Sequence, residues 1–137
     1  MRPGTPLQTR HVVATSGVDR ETLRFYEQKG LLPNIGRSSS GYRHYPPDTP
    51  LRLQFIKMAQ DVGFTLREIK LMLSVGLDGR VPSERLQKMG MAKLQELDER
   101  IRNLRRVRRT LATVLSELEL PYPEGECRVL TAFKKNR

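Results

Sequence analysis

The sequence predicts a mainly α-helical chain, built as a small N-terminal unit of short helices followed by one long helix. Two observations lead there. Apolar residues recur at helical spacing between 51 and 73 and again between 94 and 118, and the stretches 33–50 and 75–83 that interrupt the helices are rich in Gly, Ser and Pro. At 137 residues the chain holds one compact domain, or a small domain with an extension.

Residues 1–8, with two Pro and one Gly, read as a disordered lead-in. Thr9 is placed to cap a short helix over about 10–15, and Gly17 turns the chain. Asp19 is followed by Glu21 and Thr22, an acidic first turn that suits the positive end of a helix dipole. A second helix is therefore expected over 20–28, ended by Gly30. Two helices joined by a short Gly-containing turn make a helix-turn-helix. On the second helix Arg20, Arg24 and Glu27 share one face, whereas Leu23 points toward a core with Val12, Val13, Val18 and Leu31. The charged face is left free to meet a partner.

The next stretch, "PNIGRSSSGYRHYPPDTP", carries Arg37, Tyr42, Arg43, His44 and Tyr45 among its Gly, Ser and Pro. It reads as a tight hairpin, with Gly41 at the turn and polar aromatics on the returning strand. A solvated loop is the plain alternative. Guanidinium and phenol groups interleaved directly after a helix-turn-helix favour a small wing that presents donors to phosphates.

Leu51, Leu53, Phe55, Ile56, Met58, Ala59, Val62 and Phe64 then make an apolar helix to about residue 61, broken at Gly63. Thr65 and Glu68 have the spacing of a capping box, opening a helix whose apolar positions are Ile69, Leu71, Met72 and Leu73. Residues 75–83 form a linker. The helix expected over 84–118 is too long to be stable alone. Leu94, Leu97, Ile101 and Leu104 recur at 3-4-3 spacing, and Val107, Leu111, Val114 and Leu118 continue the stripe after an added three-residue step. With no second long helix in the chain, the economical partner is the same helix of a second copy. That predicts a two-fold coiled-coil dimerisation helix, read as antiparallel in the expected fold class, with a seam at Leu94, Leu97, Ile101, Leu104, Leu111 and Leu118. The run "RIRNLRRVRR" holds six Arg and reads as the solvated face of that coil rather than as a DNA site. Met89 and Met91 read as packing, and 119–137 as a C-terminal loop and tail.

Lys and Arg number 25 against 15 Asp and Glu, a formal net charge of +10, which favours a polyanionic partner such as nucleic acid or an acidic membrane. No apolar run is long enough for a signal sequence or a membrane span, so a cytoplasmic protein is expected. The single Cys127 has no intrachain disulfide partner, and neither CxxC nor HxxxH spacing is present for a structural zinc site. Nor is there a nucleophile–base spacing or a Gly-rich phosphate loop, and an enzyme is not expected.

Taken in order, "GVDRETLRFYEQKGLLP", the following Arg37, "SGYRHY" and "LRLQFIKMAQDVGFTLREIKLML" resemble the N-terminal DNA-binding domain of the MerR family of bacterial transcription regulators, over residues 9–74. The resemblance implies a winged helix-turn-helix DNA-binding domain followed by the long dimerisation helix. It also implies a mechanism: a homodimer binds a pseudo-palindrome in an overlong promoter spacer, and an effector makes it distort the double-stranded DNA so that RNA polymerase engages both promoter elements. Carried over by position, Arg24 would reach the major groove, Tyr26 a phosphate, and Arg37, Tyr42 and Arg43 the flanking backbone. Arg20 and Thr22 join them from their place near the N-terminus of the exposed helix. The alternatives are a core role for Tyr26 and an ion pair of Arg20 with Glu21 or Glu27.

The chain also resembles the metal-sensing branch of that family in length and layout. That branch typically carries two cysteines on the loop after the dimer helix. Here Cys127 stands where the second would sit, while Leu118 and Glu119 occupy the place of the first, and one thiolate is not a two-coordinate Cu(I) site. Ser83 stands where divalent sensors place a further cysteine and monovalent sensors a serine. Three readings of Cys127 follow: a small buried hydrophobe, a reactive thiolate beside Arg128, or one ligand of a soft metal ion completed by His11, His44, a methionine or the other subunit. No cofactor is required for folding. The alternative functions are an architectural or recombination-type DNA-bending protein and an effector-independent regulator; the segment beyond the seam favours a regulator.

Overall fold

The computed structural model describes residues 4–33 and 35–137, and the chain divides into two compact units, Met1–Arg80 and Val81–Arg137. The first contains β1 (Leu7–Gln8), α1 (Thr9–Ser16), α2 (Arg20–Gln28), β2 (Gly36–Arg37), β3 (Arg43–Tyr45), α3 (Thr49–Asp61) and α4 (Leu66–Ser74). The second contains α5 (Glu84–Ser116) and α6 (Arg128–Lys135).

In the N-terminal unit the helix ends follow local chemistry. The Asp19 carboxylate accepts the Thr22 N–H at 2.7 Å, and this bond holds the carboxyl below its ordinary value. At the other end of α2, Gly30 adopts φ +76, its N–H reaches the Glu27 carbonyl and the Leu31 N–H reaches that of Tyr26, a Schellman closure. Thr65 and Glu68 form the expected capping box, with bonds of 3.1 and 3.0 Å. The α1 start differs from expectation: Thr9 is the first helical residue and Gln8 stands at the cap without a side-chain bond.

Gln8 has the extended backbone of an N-cap but not the short side chain that caps, and it lies in a strand. Residues 1–8 read as a lead-in, but Leu7 and Gln8 pair antiparallel with Tyr45 and His44, while Gly36 and Arg37 pair with His44 and Arg43 on the other edge, giving the order β1-β3-β2. The rest of that expectation falls partly on Met1–Pro3, outside the described residues. Leu7 and Tyr45 are both buried, so the pair anchors the wing to the helices.

The core around this sheet comprises Val12, Leu23, Tyr26, Leu31, Leu32, Leu53, Ile56, Ala59 and Ile69, with Val13 and Val18 packed at its edge. Only one stripe of the apolar α3 is buried; Leu51, Phe55, Met58 and Val62 are exposed.

In the C-terminal unit Ser83 caps α5 by accepting the Leu86 N–H at 3.2 Å, and the helix runs 33 residues, ending two short of the expected boundary. The tail read as loop contains α6. Ala132 is buried, as are Thr110 and Val114 on α5; the Arg106 guanidinium lies 3.7 Å from the Phe133 ring centre, and Asn136 donates to Thr113 at 3.4 Å. Arg128 ties down the connection by donating to the Glu117 and Leu120 carbonyls while lying over the Tyr122 ring, and the Tyr122 hydroxyl donates to Thr131. Val114 therefore leaves the apolar stripe for α6. Leu94, Ile101, Leu104, Leu111 and Leu118 are exposed and Leu97 is half-buried. Among the described residues no helix is long and apolar enough to cross a membrane.

Gly30→Ala is expected to destabilise the N-terminal unit by about 1–2 kcal/mol, because an L-residue is strained at this left-handed position. The new Cβ would also displace the flexible end of Lys70, at 2.8 Å. Urea unfolding followed by helical circular dichroism measures the loss, with Gly30→Asn expected to lose less.

Candidate nucleic-acid interface

Leu23 and Tyr26 are three residues apart on the buried face of α2, which sends Arg20 and Arg24, four apart, to the exposed side. The hairpin supplies the facing wall. Its turn is closed by the Ser38 N–H on the Tyr42 carbonyl at 2.8 Å and the Gly41 N–H on Ser38 at 2.9 Å, with Gly41 at φ +84. The period of two along β3 puts Arg43 and Tyr45 on one side. Tyr45 enters the core, and Arg43 reaches α2, where its Nε lies 3.1 Å from Glu27 Oε2.

An open cleft results, lined by Arg10, Arg20, Arg24, Tyr42, Arg43 and Tyr45. Its guanidinium groups and the exposed Tyr42 phenol are donors suited to an anionic backbone. Four of the seven residues expected at a DNA surface, Arg20, Arg24, Tyr42 and Arg43, meet here. Arg37 is exposed on the wing and donates to the Gly41 carbonyl at 3.2 Å. Thr22 is half-buried, and its backbone serves the Asp19 cap. Glu27 pairs with Arg43, not with Arg20 as in the alternative reading of Arg20.

Tyr26 departs from the expected phosphate contact. It is 8% exposed, and its hydroxyl donates to Gln60 Oε1 at 2.7 Å. Burial, assisted by the Asp61 charge, pushes the phenol pKa up. Its one O–H is engaged within the N-terminal unit, which favours the core reading of the two. Arg10 was missed. It reaches the cleft from the first turn of α1, next to a strand too short to show any period in the sequence.

Cys127 is exposed in the single chain, which disfavours the reading of it as a buried hydrophobe. It stands at the N-cap of α6 without a side-chain capping bond, and the neighbouring Arg128 is directed at the Glu117 and Leu120 carbonyls. Ser83, an effector candidate from the resemblance, acts here as the α5 cap. Among the described residues no group of three or more His, Cys, Asp or Glu is placed to hold a metal ion.

Residues 7–75 match the profile of the MerR HTH family regulatory protein, and residues 51–114 match that of MerR, DNA binding. The chain belongs to the MerR family. The mercuric resistance operon regulatory protein of Bacillus cereus is 34% identical over 123 residues, covering 87% of this chain and 90% of that protein. Its namesake from Serratia marcescens is 39% identical over 103 residues, covering 75% and 67%. Two solved structures share the fold. A MerR family transcriptional regulator from Listeria monocytogenes has a TM-score of 0.69 at 23% identity, covering 83% of this chain and 86% of its own. HiNmlR, a MerR family regulator lacking the sensor domain and bound to promoter DNA, has a TM-score of 0.60 at 24% identity, covering 84% and 90%. The MerR-family chain is thus a mainly helical transcription regulator and not an enzyme.

Replacing Tyr26 by Phe should lower stability by about 0.5–1.5 kcal/mol through loss of the Gln60 bond and leave DNA affinity within about twofold. Gel-shift titration beside urea unfolding tests this; an affinity loss without a stability loss would return Tyr26 to the DNA face.

Proposed function

We propose that this chain is one protomer of a homodimeric regulator that binds a pseudo-palindromic operator in double-stranded promoter DNA and distorts it on an effector signal, so that RNA polymerase engages both promoter elements. The α2–wing cleft carries this reading: it gathers Arg20, Arg24, Tyr42 and Arg43 on one open cationic surface. Arg24 serves the major groove, while Arg37, Tyr42 and Arg43 hold the backbone, with Arg20 and Thr22 near the helix start. HiNmlR bound to promoter DNA has the same fold, which supports the assignment. Arg24→Ala is expected to cost about 1–3 kcal/mol of binding and relax sequence discrimination, whereas Arg43→Ala weakens all duplexes more evenly. Competition gel shifts with operator and random duplexes check both, and equal losses on each duplex for both variants contradict the roles.

The exposed stripe of α5 supports the dimer. Leu94, Ile101, Leu104, Leu111 and Leu118, with the half-buried Leu97, leave a seam of side chains in water that a second copy would bury. Leu104→Glu should shift the protein to monomer by light scattering, with loss of operator binding; a dimer that persists removes this seam.

The effector reading rests on the C-terminal segment. Relatives include mercuric resistance regulators and heavy metal-dependent transcription regulators of Rhizobium meliloti, which favours a soft metal ion or a thiol-reactive stress acting at the exposed Cys127. The single thiolate and the use of Ser83 as a cap favour a second reading, in which the regulator works without such an effector. A promoter reporter challenged with soft metals, diamide and aldehydes separates them. Cys127→Ser is expected to abolish induction under the first reading and leave the output unchanged under the second.

A further inference from the structure

The two halves of α5 treat charge differently. In the N-terminal half opposite signs alternate and pair: Lys88 with Glu84 at 3.3 Å, Lys93 with Glu96 at 3.2 Å and Arg100 with Glu96 at 3.1 Å. From 101 to 116 the helix carries five arginines and no carboxylate. Arg106 is stacked on Phe133 toward α6. Arg102, Arg105, Arg108 and Arg109 make no ion pair among the described residues, and Arg102, Arg105, Arg108 and Arg109 are all exposed.

At 3.6 residues per turn these four fall on an arc of about 120°, which runs from Arg108, in register with Leu94 and Ile101 at the edge of the apolar stripe, to Arg102 and Arg109, which border Arg106 and Thr113 on the α6 side. Arg102 and Arg105, Arg105 and Arg108, and Arg105 and Arg109 stand three or four residues apart, spacings at which like charges repel along a helix. The run ends seven residues before Ser116, so the helix dipole does not account for it. Solvation does not require it either, since the first half is equally exposed with mixed signs. The repulsion is relieved when an anion lies along the flank.

We infer that this flank is a second, sequence-independent contact for the phosphate backbone of duplex DNA, separate from the α2–wing cleft. The inference rests on the DNA-binding reading above. Guanidinium groups pair with phosphate oxygens bidentately, and four in a row on one helix face follow a line of charge. The arc carries no aromatic side chain on which single-stranded bases would stack. Nor does it carry the aromatic anchor that protein interfaces favour, which sets it against an acidic protein partner. In an antiparallel pair the stripe from Leu94 to Leu118 would centre near Arg106, with the two-fold axis perpendicular to both helices. The arginines of both copies then fall on the same face of the coil.

The test uses the full-length protein and a duplex that it selects from a random-sequence pool, prepared as the protected segment alone and with about two helical turns added on each side. The R102Q/R105Q/R108Q/R109Q variant should bind the short duplex like the parent and lose the parent's gain on the long one. Its salt dependence on the long duplex should fall by about 0.9 per lost phosphate contact. Gln preserves helix propensity, and circular dichroism with light scattering confirms fold and assembly. Lysine at the same four positions should keep most of the long-duplex gain. Identical length dependence and salt slope in parent and variant overturn the inference, as does an equal loss on both duplexes. An effect seen only when RNA polymerase is added assigns the flank to a protein and also overturns it. If Arg24→Ala binds the short duplex undiminished, the cleft assignment itself fails; if only the arginine variant is silent, the flank alone is rejected.

Discussion

Burial of Leu23 and Tyr26 fixes the roll of α2 about its own axis, and the cationic surface of the N-terminal unit depends on it. A nine-residue helix has little stability of its own, so the packed stripe decides its orientation and the charged residues take what remains. Leu23 is fully buried and the Tyr26 hydroxyl is held by Gln60 of α3, which leaves Arg20 and Arg24 facing outward together. The wing is placed by the same means: Tyr45 enters the core, Leu7 pairs with it across the sheet, and Arg43 follows from the two-residue period of β3. Apolar contacts supply the position, and the charges act from it.

The C-terminal unit divides one helix among several tasks. Thr110 and Val114 are buried beside α6, the leucine stripe stays open, and Arg102, Arg105, Arg108 and Arg109 span the exposed arc between the two. Cation–π contacts recur at the α6 side, Arg106 on Phe133 and Arg128 on Tyr122, and each replaces an acidic partner with an aromatic ring. The segment that carries Cys127 is accordingly held by backbone carbonyls and ring faces while the thiol stays at the surface.

Periodicity and capping chemistry made most of the helices legible. Asp19, Gly30, Thr65 and Glu68 act through neighbours within five residues, so their roles can be read locally. What escaped was non-local or too short to have a period. β1 has two residues, and nothing within them indicates that Tyr45 is their partner; with β1 unread, Arg10 had no visible route to the cleft. Tyr26 was ambiguous because a phenol satisfies a core or a phosphate equally well, and its hydrogen-bond partner, Gln60, lies 34 residues away. The α6 helix hid behind two prolines and a glycine, in an eight-residue stretch whose apolar positions match α5 only once the chain doubles back.

The Arg43–Glu27 pair gives the cleft a resident counter-ion. Any phosphate that approaches Arg43 competes with a carboxylate already in place, so engagement is an exchange of one anion for another rather than the filling of a vacant site. Such an exchange yields little net Coulombic gain on its own and rewards a ligand whose other groups reach the remaining arginines at the same time. Under the proposed DNA contact a stray anion would be rejected more readily than a continuous strand, and the pair holds the wing to α2 beforehand, which would lower the entropic cost of docking.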